Sequence, residues 1–149
     1  MNASLQAPFP SYIIRKLEPN EKVKSFDCGD ADLNDFILNE SGLYRQALLA
    51  VTYVFEAVDD EAHEHVAAYF SLANDRVSMS DFPDKTAFNR FRKHRFVNEK
   101  RLKSYPAAKI CRLAVNQEFK GQHIGEFMIG SIKSYFLADN KTGCRFLTV

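Results

Sequence analysis

The first recognisable pattern along the chain is SYIIRKL from Ser11, β-branched and alternating, which predicts a strand after about ten irregular residues. FDCGDADLNDFILNESGL follows, where Asp30 is placed to cap a helix whose apolar residues Leu33, Phe36 and Ile37 fall at i, i+3 and i+4. Gly42 is expected to break that helix, with a second short helix from Ser41 to about Ala47. LLAVTYVFEAV and HVAAYFSLAND read as two long strands joined through the acidic turn DDEAHEH, an antiparallel hairpin. Between Asp84 and Lys103 the spacing turns helical, with Phe88, Phe91 and Phe96 toward one side, and Pro106 is expected to end that region. AAKICRLAV is apolar enough throughout to be a central, buried strand. The polar segment NQEFKGQHIG then leads into GEFMIGSIKSYFLAD, a helix with the predicted apolar stripe Ile124, Phe127, Met128, Ile132, Tyr135 and Phe136. Gly143 closes it and RFLTV opens another strand.

These elements predict an α/β fold with a mainly antiparallel sheet and helices on both faces. The strand ending at Val115 and the one beginning near Cys144 should run parallel, because a helix crosses between them. Composition agrees. The 149 residues, 46% apolar and 26% charged, suit one soluble domain with one core, and 13 Phe make that core aromatic. No apolar run approaches the roughly 20 residues of a membrane span, and the first residues lack the basic start and apolar stretch of a secretory signal. Cys28, Cys111 and Cys144 are odd in number and widely spaced, which reads as reduced thiols in a cytoplasm and not as a disulfide or metal framework. Net charge is +1, but the segment from Asp84 to Lys103 carries +6 and the remainder −5. Such an asymmetry suits a polyanionic partner.

The candidate chemistry lies between Phe119 and Gly125. A strand that ends in a turn and feeds a helix gathers free backbone N–H groups at a dipole end that suits an anion, most naturally a phosphate. Gly121 and Gly125 allow close approach and Lys120 adds a positive charge. The competing reading is a tight connection whose glycines serve packing alone.

RLAVNQEFKGQHIGEFMI resembles the acetyl-CoA motif of GNAT acyltransferases, Arg/Gln-x-x-Gly-x-Gly/Ala after a strand ending Leu-Ala-Val. Lys120 takes the first motif position, Gly121 and Gln122 follow, His123 stands where the family most often has Gly, and Gly125 is the last glycine. FDCGDADLNDFI resembles the opening helix of the GNAT subgroup that includes toxin acetyltransferases, HVAAYFSLAND its third strand and CRFLTV its fifth. The resemblance covers roughly Tyr12 to Val149 in the expected order. It implies that backbone groups of Leu113, Ala114 and Val115 pair with the pantetheine arm of acetyl-CoA like an added strand. The N–H groups of Lys120, Gly121, Gln122, His123, Ile124 and Gly125 would hold its pyrophosphate, with no metal. The implied reaction is direct attack by an acceptor amine on the thioester, assisted by proximity and proton transfer.

The family pattern runs on past the fifth strand into a helix that often carries a proton-donating Tyr, and then two more strands. The expectation is therefore a domain incomplete at its C-terminal end, with little transferase activity by itself and no nameable general acid. Its fifth strand, Cys144 to Val149, would be an exposed edge able to recruit a second copy. Other polar residues read as bland. His63 and His65 sit in an acidic turn, His94 extends the basic segment, and Cys111 and Cys144 fall in strands as small hydrophobes. Glu56 and Glu64 can activate an amine through water, yet nothing singles them out. The basic segment is a solvated helix face or a tRNA-backbone surface, since the toxin-like subgroup acetylates aminoacyl-tRNA. Three functions follow: an N-acetyltransferase with an unidentified amine acceptor, an acyltransferase on charged tRNA, and a module that binds acetyl-CoA without catalysis.

Overall fold

The computed structural model describes residues 11–58, 64–138, 140 and 142–149. Five strands form one sheet in the order β1-β2-β3-β4-β5, namely β1 (Ser11–Lys16), β2 (Val51–Val58), β3 (Glu64–Ser78), β4 (Ser104–Val115) and β5 (Phe146–Thr148). The first four are antiparallel, and β5 joins β4 in parallel over Ala107↔Phe146, Ala108↔Leu147 and Lys109↔Thr148. The α/β architecture and the parallel closing pair are as the sequence predicts. The helical crossover is α4 (Ile124–Ala138). The predicted hairpin turn lies at 59–63, outside the described residues. Among those described, no helix is long and apolar enough to cross a membrane.

Period-two alternation along the strands divides the side chains between two cores. Phe55, Ala57, Ala68, Phe70 and Leu72 face α4, where Ile124, Met128 and Ile132 meet them beside the buried Phe119. Val54, Tyr69 and Ala114 face the other way, onto Leu17, Phe26, Phe36 and Ile37. Helices thus cover both faces, each held by apolar burial worth about 1.5–3 kcal/mol per large side chain.

The second core explains α1 (Ala31–Asp35) and α2 (Ser41–Gln46). Asp30 caps α1 as expected, its carboxylate accepting from Asp32 N–H (2.9 Å) and Leu33 N–H (3.0 Å). Gly42 does not break the run. A π-helical turn (Phe36–Glu40) joins the two helices, and Ser41 N–H donates five residues back to the Phe36 carbonyl. Apolar burial of Phe36 and Ile37 overrides the glycine's weak helix propensity. Buried Arg45 then ties α2 to the loop after β1, donating to the carbonyls of Glu18 (3.0 Å) and Glu21 and to Ser41 Oγ (2.8 Å).

Three further expectations need correction. The basic helix α3 (Lys85–Arg95) stops well before Lys103, and Pro106 lies inside β4 and does not end the basic region. Pro106 faces Arg76 of β3 while its carbonyl accepts Arg145 N–H at 2.9 Å, an arrangement that uses no proline donor. The α4 stripe is also narrower than predicted. Ile124, Met128 and Ile132 are buried and Phe136 packs against them, whereas Phe127 is 59% exposed and Tyr135 38%, each keeping only an edge of its ring against Phe55 and Tyr53 respectively. Finally, β4 is not buried along its whole length. Beyond Lys109 it has a neighbour on one side only, so Ile110, Cys111, Arg112 and Leu113 are half-buried. Phe88, Phe91 and Phe96 are core anchors as read: Phe88 and Phe91 meet Phe82, Phe91 reaches Phe146, and Phe96 stacks on Tyr105 (4.2 Å).

Candidate functional site

Two features of β4 meet at its C-terminal end. The first is an open edge. β5 leaves β4 after Lys109, so from Ile110 to Val115 the side of β4 away from β3 has no strand against it among the described residues. A bulge contributes to the divergence, since Ser71 pairs with Arg112 and Leu72 with Ile110, which leaves Cys111 as the extra residue. Leu113, Ala114 and Val115, opposite Phe70, Tyr69 and Ala68, therefore keep backbone groups on a free edge.

The second feature is the turn into α4. Asn116 shapes its start: its backbone N–H donates to Ala67 O (2.8 Å), its amide to Val66 O (3.2 Å), and its side-chain oxygen accepts Glu118 N–H. A single helical turn follows (Gln117–Phe119), anchored by the buried Phe119. Gly121 (φ +81°) and His123 (φ +58°) are left-handed, and Phe127 N–H to His123 O (3.0 Å) is the first bond of α4. Ile124, Gly125 and Glu126 consequently present helix-terminal N–H groups with no partner in the described chain. Gln122 Oε1 is buried beside them and also lacks a partner. A Cβ on Gly121 would meet nothing within 4 Å, and one on Gly125 only Val115 Cγ2 at 3.9 Å. At Gly121 the left-handed backbone itself favours glycine, whereas at Gly125 neither φ nor packing demands it. Space in front of unpaired donors at a helix start fits an anionic group such as a pyrophosphate.

The sequence assigned Lys120 a free charge at this turn, and the structure uses it otherwise. Its ammonium donates to the Cys28 carbonyl at 2.6 Å. Gln117 N–H likewise donates to Asp27 O at 2.8 Å, so the loop before α1 braces the turn. That loop is itself tightly made. Asp27 accepts Gly29 N–H (2.9 Å) and the Asn34 amide (3.0 Å), which together hold its carboxyl below the ordinary carboxylate range, and Asn34 accepts Cys28 N–H. Gly29 is favoured here by its φ of +88°, and a Cβ would also push aside the tip of the exposed Gln117 side chain, whose Nε2 would stand 2.6 Å away. This bracing role of Asp27, Cys28, Gly29 and Asn34 was missed, although Asp-x-Gly with a following Asn in FDCGDADLN is a local turn signal.

Of the remaining candidates, Glu56 and Cys144 lie away from the turn and His123 lies within it. Glu56 is buried and clamped by Arg15, whose Nη2 donates to it at 2.8 Å while also pairing with Glu21 at 2.7 Å, so it is no free base. Cys144 is half-buried, and burial pushes its thiol up, away from nucleophilic character. His123 lies 3.6 Å from Glu126 in an exposed pair.

No protein-family profile and no curated protein sequence matches the chain. Solved structures do match in shape. A KacT variant superposes with a TM-score of 0.68 at 19% identity, covering 91% of this chain and 75% of KacT. AtaT complexed with acetyl-methionyl-tRNAfMet gives 0.67 at 18% identity, over 92% and 76% of the two chains. A variant AtaT toxin bound to acetyl-CoA and the C-terminus of the antitoxin AtaR gives 0.64 at 17% identity, over 91% and 72%. The chain has the fold of KacT and AtaT.

Proposed function

We propose that this protein transfers an acetyl group from acetyl-CoA to a primary amine. The observation that carries the reading is the pair of open spaces at Gly121 and Gly125 in front of the unpartnered N–H groups of α4, continuous with the free edge of β4. In this reading Gly121, Gln122, His123, Ile124 and Gly125 donate backbone N–H groups to the pyrophosphate. Lys120, whose backbone N–H is taken by the Gln117 carbonyl at 3.3 Å and is therefore not among the donors the sequence expected, holds the turn through Cys28. Leu113, Ala114 and Val115 offer the carbonyls and N–H groups of an unfilled strand position to the amide-bearing pantetheine arm. When bound, acetyl-CoA supplies an activated thioester. The chain aligns that arm along a rigid strand and excludes water from one face with α4, so that much of the rate enhancement comes from orientation.

The test is calorimetric titration with acetyl-CoA, followed by thiol release in the presence of primary amines. Absence of binding would sink the reading. Binding without thiol release for any amine would leave the acetyl-CoA-binding module in its place.

A second reading, transfer to the amino group of an aminoacyl-tRNA, is favoured by α3 together with the AtaT complex with acetyl-methionyl-tRNAfMet. Part of the local charge is structural: Arg92 donates to the carbonyls of Arg101 and Leu102, and Arg101 to Phe96 O. Lys85, Arg90, Lys93 and Arg95 remain exposed on one helix beside exposed Lys100 and Lys103, a surface suited to a phosphate backbone.

A further inference from the structure

Thr52, Ser71 and Arg112 stand side by side across the sheet on the face that α1 and α2 cover. Thr52 is opposite Ser71 in the β2–β3 register, and Ser71 is opposite Arg112 in the β3–β4 register, so all three side chains leave the same face. Thr52 and Ser71 are both 0% exposed, and neither hydroxyl has a hydrogen-bond partner. Arg112 is half-buried. Its guanidinium lies 3.9 Å over the Phe36 ring and 5.9 Å from that of Tyr44. Among the described residues it has neither a carboxylate nor a hydrogen-bond acceptor. Stacking occupies the face of the guanidinium plane and fixes its orientation, while the in-plane N–H donors stay available as a fork.

Position gives this row its meaning. Arg112 adjoins the bulge and lies three residues from Val115, about 10 Å back along the open edge of β4 at ~3.3 Å per residue. An extended arm anchored at the turn into α4 and lying on that edge brings its far end to this stretch. Both faces of the sheet carry helices, but on the side of α1 and α2 Arg112 itself stays half-exposed beside the gap, so an acceptor that reaches the open edge from that side passes its guanidinium.

We propose that Arg112 determines acceptor specificity by taking an oxyanion, phosphate or carboxylate, that the acceptor carries near its amine. The inference rests on the acetyl-CoA reading. Two parallel N–H···O bonds from a pre-stacked guanidinium recognise such a group, and the unpartnered Ser71 hydroxyl is its neighbour in the β3–β4 register.

The experiment uses the full chain saturated with CoA, which blocks the turn, titrated with O-phosphoethanolamine, β-alanine and ethanolamine. These probes carry an amine with a phosphate, with a carboxylate and with no anion. An anionic probe should bind about tenfold more tightly than ethanolamine, on the scale of hydrogen bonds to a charged group, and should shift the Arg112 Nε–H resonance. Whichever of the two binds better identifies the oxyanion. Arg112→Gln should abolish the preference and Arg112→Lys retain part of it, with CoA affinity unchanged in both. Should Arg112→Gln fail to fold, the Lys variant and the wild-type resonance still decide. Equal binding of all three probes by the CoA-loaded protein, or a preference that survives loss of the guanidinium, overturns the inference while leaving the acetyl-CoA reading intact. Failure of CoA itself to bind removes both.

Discussion

At the scale of single residues, His123 and Gly125 separate the needs of the backbone from those of the ligand. His123 holds φ +58° at the start of α4, a conformation that costs a residue with a Cβ about 1–2 kcal/mol and glycine little. Its pair with Glu126 is exposed on both sides and offsets little of that. His123→Gly should therefore raise stability by about 1 kcal/mol in urea titration and leave acetyl-CoA affinity unweakened. Gly125 is the opposite case. A β-branched replacement there would not crowd the protein itself, since the nearest atom to a Cβ is Val115 Cγ2 at an ordinary 3.9 Å. Gly125→Val should consequently melt near the wild-type temperature and still lose about tenfold or more in acetyl-CoA affinity by calorimetry, a cost of roughly 1.4 kcal/mol. Unchanged affinity would remove the pyrophosphate from this turn.

Among the elements, the loop between β1 and α1 owes its course to charge pairing as much as to apolar burial. Arg15 on β1 grips Glu21 through two hydrogen bonds, at 2.8 and 2.7 Å, and reaches Glu56 on β2. The bond to Arg15 holds the Glu21 carboxyl below its usual 4.5. A depressed carboxylate stabilises the fold above the unfolded-state value, and that contribution is lost as pH falls through the folded-state value. Both partners are partly exposed, so the pair is worth about 1 kcal/mol. Glu21→Gln should unfold more easily by that amount at neutral pH, and the gap to wild type should close as the solution is acidified below 4.5. A gap that is independent of pH would mean that packing, not the ion pair, fixes this loop.

For the molecule as a whole, the uneven charge is the property with the longest reach. Exposed Lys85, Arg90 and Lys93 share one side of α3 while Phe88 and Phe91, with Arg95 4.3 Å over the Phe91 ring, lie on the other, so the helix presents a cationic face on a rigid support. If an aminoacyl-tRNA is the acceptor, its association should fall steeply with salt, with a log–log slope of roughly −0.9 per phosphate contacted in duplex regions. Arg90→Ala with Lys93→Ala should make that slope shallower by about two such increments and leave acetyl-CoA binding untouched. A salt-independent association, or one indifferent to the double variant, would place the tRNA elsewhere on the surface.

What the sequence determined by itself is what local physics controls. Alternation in SYIIRK and LAV, the Asp30 cap and the glycine-bearing turn before α4 all report on neighbours within a few residues, so strands, helix start and candidate site were legible in order. The free donors at the turn were legible for the same reason, since orphan N–H groups belong to any helix start. Only the tertiary structure decided which groups are spent and which are free. Lys120 is engaged by Cys28, ninety-two positions away in the chain, and Glu56 by Arg15, forty-one away. Gly42 continues a helix because Phe36 and Ile37 are buried against Tyr69 and Val54. Arg112, which reads in sequence as one more charge in a strand, is set apart by the hydroxyls across the sheet from it and the rings it stacks on, and these arrive from β2, β3, α2 and the π-helical turn. Pairing between distant segments depends on which faces the sheet buries, and a pattern along the chain carries no term for that.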